Sequence, residues 1–356
     1  MAYNYRNNPN NINFYLVVSQ DCNLRCEFCY QPNSFHVPKL MTIETAEKAI
    51  RFAVNNFPEE KLRFLFYGGE PLLNFPIIKH IVEKYQQFNY VIVTNGLLIT
   101  DDIKDFILKN KYCLHISVSL LNSKDQYADW KNRLKNAIEV LKVMKDTSSD
   151  IHAVFMNPDE IYDLYCWMEE QDIGFMRLST PRFGQPLEYN KYLEQFKRIA
   201  DRVYFGEKGF TRGLINFDRA FNPDYKGPTY CGAGILYLMV NPDGEIYPCD
   251  YLCGLKTLKL GDIYTGLYEK ENIEKISKMQ RDPEHTLYTH CDEYKEQGIC
   301  KIPTLSECHR AQCIGENLDH GCNLEKPTIA HCKVNNLEYE LYYYIFEKAK
   351  SLGIKF

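Results

Sequence analysis

The stretch Asn13–Cys29, NFYLVVSQDCNLRCEFC, joins a short apolar run to a cluster of three cysteines. The run Asn13–Val18 has the length and composition of a buried strand. The cysteines that follow it have the spacing C-x3-C-x2-C and are Cys22, Cys26 and Cys29. The stretch therefore predicts a strand that carries three thiols in the loop at its carboxyl end.

Strand and helix patterns alternate from this stretch to about residue 180. The strand candidates are Asn13–Val18, Leu62–Tyr67, Tyr90–Val93, Leu114–Leu120, Ile151–Phe155 and Phe175–Leu178. Helical spacing of apolar residues occurs between them, at Thr42–Asn55, Ile77–Phe88, Asp101–Lys109, Trp130–Met144 and Asp159–Glu170. Alternation of this kind favours a parallel sheet with right-handed crossovers. We therefore predict an α/β fold, a partial (β/α)6 barrel of the TIM-like kind, followed by a small cysteine-rich domain.

The rhythm changes after residue 180. A helical pattern at Tyr189–Val203 leads into an irregular linker, and a hairpin pattern follows at Val240–Tyr247 around an Asn-Pro-Asp-Gly turn. The chain ends in an aromatic helix pattern at Asn336–Leu352. The predicted domains are residues 1–205 for the barrel, 206–230 for the linker, 231–335 for the cysteine-rich domain and 336–356 for the terminal helix.

Composition limits the possible functions. The 356 residues carry 42 basic and 47 acidic side chains, a balance that gives no reason to expect a nucleic-acid partner. Residues 1–11 lack the pattern of a secretory signal, and no apolar run approaches the ~20 residues of a membrane span. We therefore expect a cytoplasmic protein. The 14 cysteines then favour metal or redox chemistry over a disulfide framework.

The loop of three cysteines suits an iron–sulfur cluster. Three thiolates can bind three irons of a cubane [4Fe–4S] cluster, and the missing fourth thiolate leaves one iron open to a cofactor. Zinc is the alternative, but a structural zinc site takes four closed ligands. Only His36, set among prolines, is available near this loop as a fourth ligand.

Motifs after the later strands accompany this loop. Together with an aromatic residue before the third cysteine, they resemble those of the radical S-adenosylmethionine (radical SAM) enzymes. The turn Gly68–Pro71 resembles the GGEP turn that cradles the methionine amino group of the cofactor, and Thr94–Gly96 resembles the TNG of a later strand end. The resemblance implies that the cofactor S-adenosylmethionine contacts Phe28, Gly68, Gly69, Glu70, Pro71, Thr94, Asn95 and Ser119. Functional residues at carboxyl strand ends are also expected for a β/α barrel.

The late cysteines resemble the SPASM extension of radical SAM enzymes, which carries auxiliary clusters. The family's spacing is disturbed, since Tyr294 stands where a middle cysteine is expected. The resemblance implies two auxiliary [4Fe–4S] clusters. The first would use Cys231, Cys249 and one of Cys308 or Cys313; the second would use Cys291, Cys300, Cys332 and a further candidate, Cys322.

Two alternatives concern these late residues. A zinc site built from Cys300, Cys308, His309 and Cys313 competes with the clusters, because mixed cysteine and histidine ligands suit zinc. The glycines of Gly232–Gly234 lack the third glycine of a dinucleotide-binding motif, which excludes that function. Cys253 is not assigned to either of the two cluster ligand sets.

Asp250 directly follows Cys249. In anaerobic sulfatase maturases, which this chain resembles across most of its length, a matching aspartate is the base that deprotonates the substrate. A carboxylate beside a cluster is chemically suited to accept a proton as a substrate radical is oxidised. The competing interpretation is a turn-capping aspartate without a catalytic role.

Three functions remain open from the sequence. The first is a radical SAM maturase that forms a thioether or carbon–carbon crosslink in a ribosomally made peptide. The second is a sulfatase maturase that oxidises Cys or Ser to formylglycine, and the third is a non-catalytic electron-transfer protein. The Leu after Pro71 and the disturbed late cysteines favour the first. The resemblance implies as partners a peptide or protein substrate and reduced flavodoxin or ferredoxin as electron donor. Because only 21 residues precede Cys22, we expect a leader peptide to be held by a separate leader-binding protein or by the barrel itself.

Overall fold

A computed structural model of the chain describes residues 11–26, 29, 31, 38–121, 132, 134–154, 157–174, 176–179, 188–206, 232–267, 291–302 and 328–354. The strands are β1 (Ile12–Ser19), β2 (Leu62–Gly68), β3 (Asn89–Thr94), β4 (Leu114–Leu121), β5 (Asp150–Val154), β6 (Met176–Ser179), β7 (Tyr237–Val240), β8 (Glu245–Tyr247), β9 (Gly261–Asp262) and β10 (Gly266–Leu267). The α-helices are α1 (Ile43–Asn56), α2 (Phe75–Lys84), α3 (Asp101–Lys109), α4 (Lys135–Val143), α5 (Ile161–Glu170), α6 (Tyr189–Phe205), α7 (Cys291–Glu296) and α8 (Ile329–Ser351).

The chain divides into two compact units. The first comprises Met1–Ser119, Asp129–Ile151 and Gly232–Lys278, and the second comprises Leu120–Ala128, His152–Cys231 and Met279–Phe356. The domain boundaries predicted from the sequence stay predictions.

The sheet of the first unit is parallel at its centre. Its strands lie in the order β10-β9-β8-β7-β1-β2-β3-β4. Strands β1 to β4 are parallel neighbours, and β7 also pairs parallel with β1. Beyond β7 the sheet continues with β8, β9 and β10, and each of these strands is antiparallel to the one before it. All carboxyl ends of β1 to β4 therefore lie along one edge, where a parallel α/β sheet carries its site.

The two faces of this sheet differ in character. One face presents fully buried apolar side chains such as Phe14, Leu16 and Phe64. The Phe14 ring lies 6.4 Å from that of Phe52 on α1, so this face forms the core under the helices. The opposite face carries half-buried tyrosines on β7, β1 and β2.

Local sequence signals explain the helices of the first unit. Thr42 caps α1, since its hydroxyl accepts the amide of Thr45 at 3.1 Å. Thr100 caps α3 in the same way, followed by Asp101 and Asp102 in the first turn. Each helix buries one apolar stripe against the sheet.

The second unit contains a long helical pair. Helix α8 packs on α6, and the Asp201 carboxylate of α6 accepts from the Tyr344 hydroxyl and the Lys348 ammonium, both at 2.7 Å. Strands β5 and β6 lie side by side. No helix in the described ranges combines the length and hydropathy needed to cross a bilayer.

The predicted α/β fold with a parallel sheet is confirmed, and six strand–helix repeats follow one another from β1 to α6. The boundaries differ in places. Helix α2 ends at Lys84, before the predicted Phe88, because Tyr85 leaves the helical conformation. Helix α8 begins at Ile329, before the predicted Asn336, because the prediction followed the aromatic residues, which begin only at Tyr339.

Candidate functional site

The cysteine loop starts directly where β1 ends. Asp21 organises its first residues: one carboxylate oxygen accepts the Cys22 amide at 2.8 Å and the Arg25 guanidinium at 3.0 Å. The amide of Cys29 donates to the carbonyl of Cys26 at 3.0 Å, which turns the chain back on itself. The three cysteines are free and half-buried.

The turn after β2 lies directly against this loop. The Gly69 amide donates to the Ser19 carbonyl at 2.9 Å, and the Glu70 amide donates to the Asp21 carbonyl at 2.8 Å. A Cβ on Gly68 would lie 1.9 Å from the Ser19 oxygen, and one on Gly69 would lie 2.4 Å from the Asp21 oxygen. Only two glycines permit so close an approach of the two backbones.

Glu70 joins this turn to the end of β3. Its side chain is 0% exposed and accepts three hydrogen bonds, from the Leu72 amide at 3.0 Å, the Thr94 hydroxyl at 2.7 Å and the Asn95 amide at 2.9 Å. Burial raises the pKa of Glu70 to about 7, against the effect of its donors. Through its bond from the Leu72 amide, the carboxylate caps the short 3₁₀ turn that begins at Pro71. Through its bonds from Thr94 and Asn95, it fixes the loop after β3.

The loop after β3 also reaches the cysteine loop. The Asn95 amide group donates to the Asn23 side-chain oxygen at 2.8 Å, and the Leu97 amide donates to the Asn95 side chain at 3.0 Å. Ser119, near the end of β4, is half-buried. The predicted cofactor residues of β2, β3 and β4 therefore lie along the same sheet edge as the three cysteines.

The thiols of the loop are suited to a metal cluster. Burial, with smaller contributions from nearby negative charges, raises the pKa of Cys22 to about 11 and that of Cys26 to about 12. Such a group of thiols resists ionisation unless metal charge compensates it, and a coordinating thiol is deprotonated by the metal. The donor set, three cysteines without a fourth, fits the three-ligand cluster.

A single metal ion fits the loop less well. Within the described ranges, no three His, Cys, Asp or Glu side chains are grouped closely enough to hold one ion. A cubane differs because each thiolate binds its own iron, so its ligands stand farther apart. His36 and Phe28 lie outside the described residues.

Asp250 is linked to the first unit's sheet by a tyrosine. The Tyr67 hydroxyl donates to a carboxylate oxygen of Asp250 at 2.8 Å. Tyr67 is the last residue before Gly68, and its ring meets that of Tyr15 edge to face at 5.4 Å. No sequence signal connects residues 67 and 250, so sequence analysis missed this contact.

The cysteines beside Asp250 have different environments. Cys249 is half-buried, whereas Cys253 is 2% exposed. Cys253 packs in an apolar cluster with Val17, Met239 and Tyr247. Cys253 therefore behaves as a small core residue, in agreement with its place outside the predicted ligand sets.

In the second unit, Asn336 of α8 holds the segment around Cys300. Its amide group donates to the Ile299 carbonyl at 2.7 Å, and its oxygen accepts the Lys301 amide at 3.0 Å. Cys332 lies one helical turn before Asn336 and is 8% exposed. The structure thus brings Cys300 beside the helix that carries Cys332.

The remaining predicted ligands are placed only in part. Cys291 is the first residue of α7. Four predicted cluster ligands, and His309 of the zinc alternative, lie outside the described residues; the ligands are Cys231, Cys308, Cys313 and Cys322.

Comparisons with known proteins agree with this site. Residues 16–165 match the family described as the Radical SAM superfamily. The radical SAM cyclopropyl synthase TigE of Paramaledivibacter caminithermalis is 27% identical over 272 residues, covering 66% of this chain and 56% of TigE. The chain thus matches just over half the length of that relative.

Two further relatives align over more of this chain. The cysteine-type anaerobic sulfatase-maturating enzyme of Clostridium novyi is 26% identical, with coverage of 82% of this chain and 86% of that enzyme. The antilisterial bacteriocin subtilosin biosynthesis protein AlbA of Bacillus subtilis is 23% identical, with coverage of 80% and 65%.

A solved structure has the same fold. Native anSMEcpe with bound AdoMet and the Cp18Cys peptide superimposes with a TM-score of 0.71 at 20% identity, covering 96% of this chain and 99% of that one. The cysteine loop at the end of β1, the glycine turn after β2 and the family match agree with one another. Residues 16–165 of this chain therefore form a domain of the radical SAM superfamily.

Proposed function

We propose that the protein is a peptide maturase that uses a radical derived from S-adenosylmethionine to install a crosslink, a thioether or a carbon–carbon bond, in a ribosomally made peptide. The observation that carries the proposal is the fastening of the cysteine loop to the glycine turn. Two backbone hydrogen bonds, Gly69 to Ser19 and Glu70 to Asp21, hold the predicted cofactor turn against the predicted cluster loop. An electron carrier has no need of such a turn.

The residues have distinct roles in this proposal. Cys22, Cys26 and Cys29 would hold the [4Fe–4S] cluster, and S-adenosylmethionine would lie near the turn at Gly69 and the loop at Asn95. When bound, this pair supplies a 5′-deoxyadenosyl radical by one-electron reductive cleavage, and the radical takes a hydrogen atom from the substrate.

Asp250 would complete the oxidation. Crosslinking removes two hydrogens from the peptide: one leaves as the atom taken by the radical, and the other leaves as a proton and an electron. Asp250 would accept the proton, and the hydrogen bond of 2.8 Å from the Tyr67 hydroxyl to its carboxylate supports this role. Auxiliary clusters on the late cysteines would accept the electron, and reduced flavodoxin or ferredoxin would supply the electron that starts each cycle.

The relatives support a peptide substrate. AlbA, a bacteriocin biosynthesis protein, aligns with 80% of this chain. The turn Gly68–Pro71 is followed by Leu72, as the resemblance to peptide maturases leads one to expect.

The experiment is an anaerobic incubation of reconstituted, reduced enzyme with S-adenosylmethionine and candidate peptides encoded beside its gene. Mass spectrometry should find a peptide that has lost two hydrogens, with 5′-deoxyadenosine formed in step. Cys26→Ala should form neither product, whereas Cys113→Ala, a half-buried cysteine outside the site, should form both. 5′-Deoxyadenosine from Cys26→Ala would contradict the cluster assignment.

A sulfatase maturase is the second candidate, because the Clostridium novyi enzyme aligns with 82% of this chain. The same incubation separates the two functions. Formylglycine on a Cys-x-Pro-x-Arg peptide, without loss of two hydrogens from the neighbouring peptides, would replace the crosslinking proposal.

A further inference from the structure

The side chain of Arg25 folds back over the cysteine loop. One guanidinium nitrogen, Nη1, donates to the carbonyl of Leu24 at 2.8 Å and also to the carbonyl of Cys22. The other, Nη2, donates to the Asp21 carboxylate at 3.0 Å. One planar group therefore binds three oxygens of the segment Asp21–Leu24, at the start of the cysteine loop.

Asp21 connects this arrangement to the rest of the site. Its carboxylate also accepts the Cys22 amide at 2.8 Å, and its carbonyl accepts the Glu70 amide at 2.8 Å. The Arg25 contacts are thus continuous with the turn after β2. The start of the cysteine loop is therefore held by hydrogen bonds between its own residues.

The fork of an arginine matters for this geometry. A guanidinium presents its donors in one rigid plane, whereas a lysine ammonium is a point charge on a flexible stem. Two carbonyls and a carboxylate, spread over Asp21 to Leu24, match the fork and exceed what one ammonium reaches in a fixed geometry.

We propose that Arg25 is a positioning residue that holds the Cys22–Cys26 segment in the shape needed to bind and retain the iron–sulfur cluster. The inference rests on the radical SAM domain and is independent of the peptide substrate in the proposed function. It predicts that the loop without Arg25 loses its cluster faster while the protein stays folded, because Arg25 is 59% exposed.

Arg51 offers a matched control. It also pairs with an acid four residues earlier, Glu47, at 3.2 Å, and it is 52% exposed. It lies on α1, away from the cysteine loop. Any general effect of removing an exposed arginine from such a pair should be equal in the two variants.

The experiment follows loss of the cluster from reconstituted protein in the presence of an iron chelator. The readout is the electron paramagnetic resonance signal that changes when S-adenosylmethionine is added, since only a cluster with an open iron responds to it. We expect Arg25→Gln to lose this signal about fivefold faster than wild type, the effect of one exposed charge-assisted contact. The signal of Arg25→Lys should disappear nearly as fast as that of Arg25→Gln. The signal of Arg51→Gln should disappear at the wild-type rate.

Three outcomes would overturn the inference. Arg25→Gln could retain its cluster as long as wild type, Arg51→Gln could lose its cluster as fast as Arg25→Gln, or Arg25→Lys could lose its cluster at the wild-type rate. The last would mean that charge alone suffices and the fork has no role. Urea unfolding of the four proteins checks that all remain folded. Neither measurement uses a peptide, so failure here leaves the proposed function untouched.

Discussion

The backbone amide of Glu70 donates a 2.8 Å hydrogen bond to the carbonyl of Asp21, the residue immediately before Cys22. The contact joins the end of one strand to the loop of its neighbour. Because β1 and β2 are parallel partners, their carboxyl ends meet at one edge, and this bond fixes how they meet. A change that separates the two backbones should therefore affect the cluster loop and the cofactor turn together.

Gly69→Ala is expected to do this. Its new Cβ would lie 2.4 Å from the Asp21 oxygen and 2.7 Å from the Asp21 carbonyl carbon, and both atoms are backbone that cannot turn away. We expect a loss of about 1–3 kcal/mol in the free energy of unfolding, as for other overpacked sites, and a lower iron content after reconstitution.

Urea unfolding and iron analysis measure the two effects. Gly353→Ala is the control for iron content: a Cβ there meets nothing within 4 Å, and the φ of +68° costs unfolding free energy without crowding the cysteine loop. Normal iron content in Gly69→Ala would show that the loop and the turn move independently.

Glu70→Gln should weaken cofactor binding. The carboxylate accepts from two amides and one hydroxyl, whereas an amide side chain offers one acceptor oxygen and turns an NH2 group toward the remaining donor. In a fully buried position such a mismatch costs about 1–3 kcal/mol. Equilibrium dialysis should therefore find roughly tenfold weaker binding of S-adenosylmethionine. Glu47→Gln, at a half-buried carboxylate of α1, is the control. Equal affinities in all three proteins would contradict the role given to Glu70.

Much of this arrangement was predictable, because its signals are local. The run Asn13–Val18, the cap at Thr42 and the glycines of the turn each carry their meaning within a few residues. The parallel sheet then places carboxyl ends together, so the sequence also predicted that Glu70 and Asn95 lie near the cysteines.

The contacts that sequence analysis missed join distant parts of the chain. Tyr67 with Asp250 and Asn336 with Ile299 depend on tertiary packing, and neither pair has a recognisable spacing. The inward direction of the Glu70 side chain was also not predictable, since the motif specifies the residue and not its rotamer.

Tyr67→Phe should separate the two halves of the reaction. The variant keeps the aromatic ring but loses the 2.8 Å hydrogen bond to Asp250. We expect 5′-deoxyadenosine formation to persist while peptide product falls by roughly tenfold, the effect of about one hydrogen bond on a positioned base. Liquid chromatography of both products from one reaction gives the ratio. Tyr112→Phe, at an 86% exposed tyrosine, is the control. An unchanged ratio would remove Tyr67 from the proposed mechanism.

Asn336→Ala should lower the iron content if Cys300 binds an auxiliary cluster. The substitution removes both hydrogen bonds that hold the backbone around Cys300. Loss of one cubane cluster would remove about four irons per chain. Iron and sulfide analysis of the reconstituted variant measures this loss, with Asn56→Ala on α1 as the control for removal of one side-chain amide. Full iron content with the usual unfolding free energy would argue that Cys300 is no ligand.

His115 should give the unfolding free energy a pH dependence. Burial, with a smaller contribution from Arg63, lowers its pKa from 6.5 to about 4. Between these values the unfolded chain binds a proton that the folded protein does not, so stability falls as pH falls through this window. The loss should total about 3 kcal/mol at 1.36 kcal/mol for each pH unit.

Glu70 acts in the opposite sense, since its raised pKa makes the folded state bind the extra proton between pH 4.5 and about 7. In the wild-type protein the contributions of His115 and Glu70 to the slope of unfolding free energy against pH partly cancel. The difference between the curves of wild type and His115→Gln isolates the contribution of His115. Urea unfolding at a series of pH values should therefore give His115→Gln a smaller loss of stability on acidification than wild type. Parallel curves for wild type and His115→Gln would mean that the buried imidazole is protonated in the folded protein.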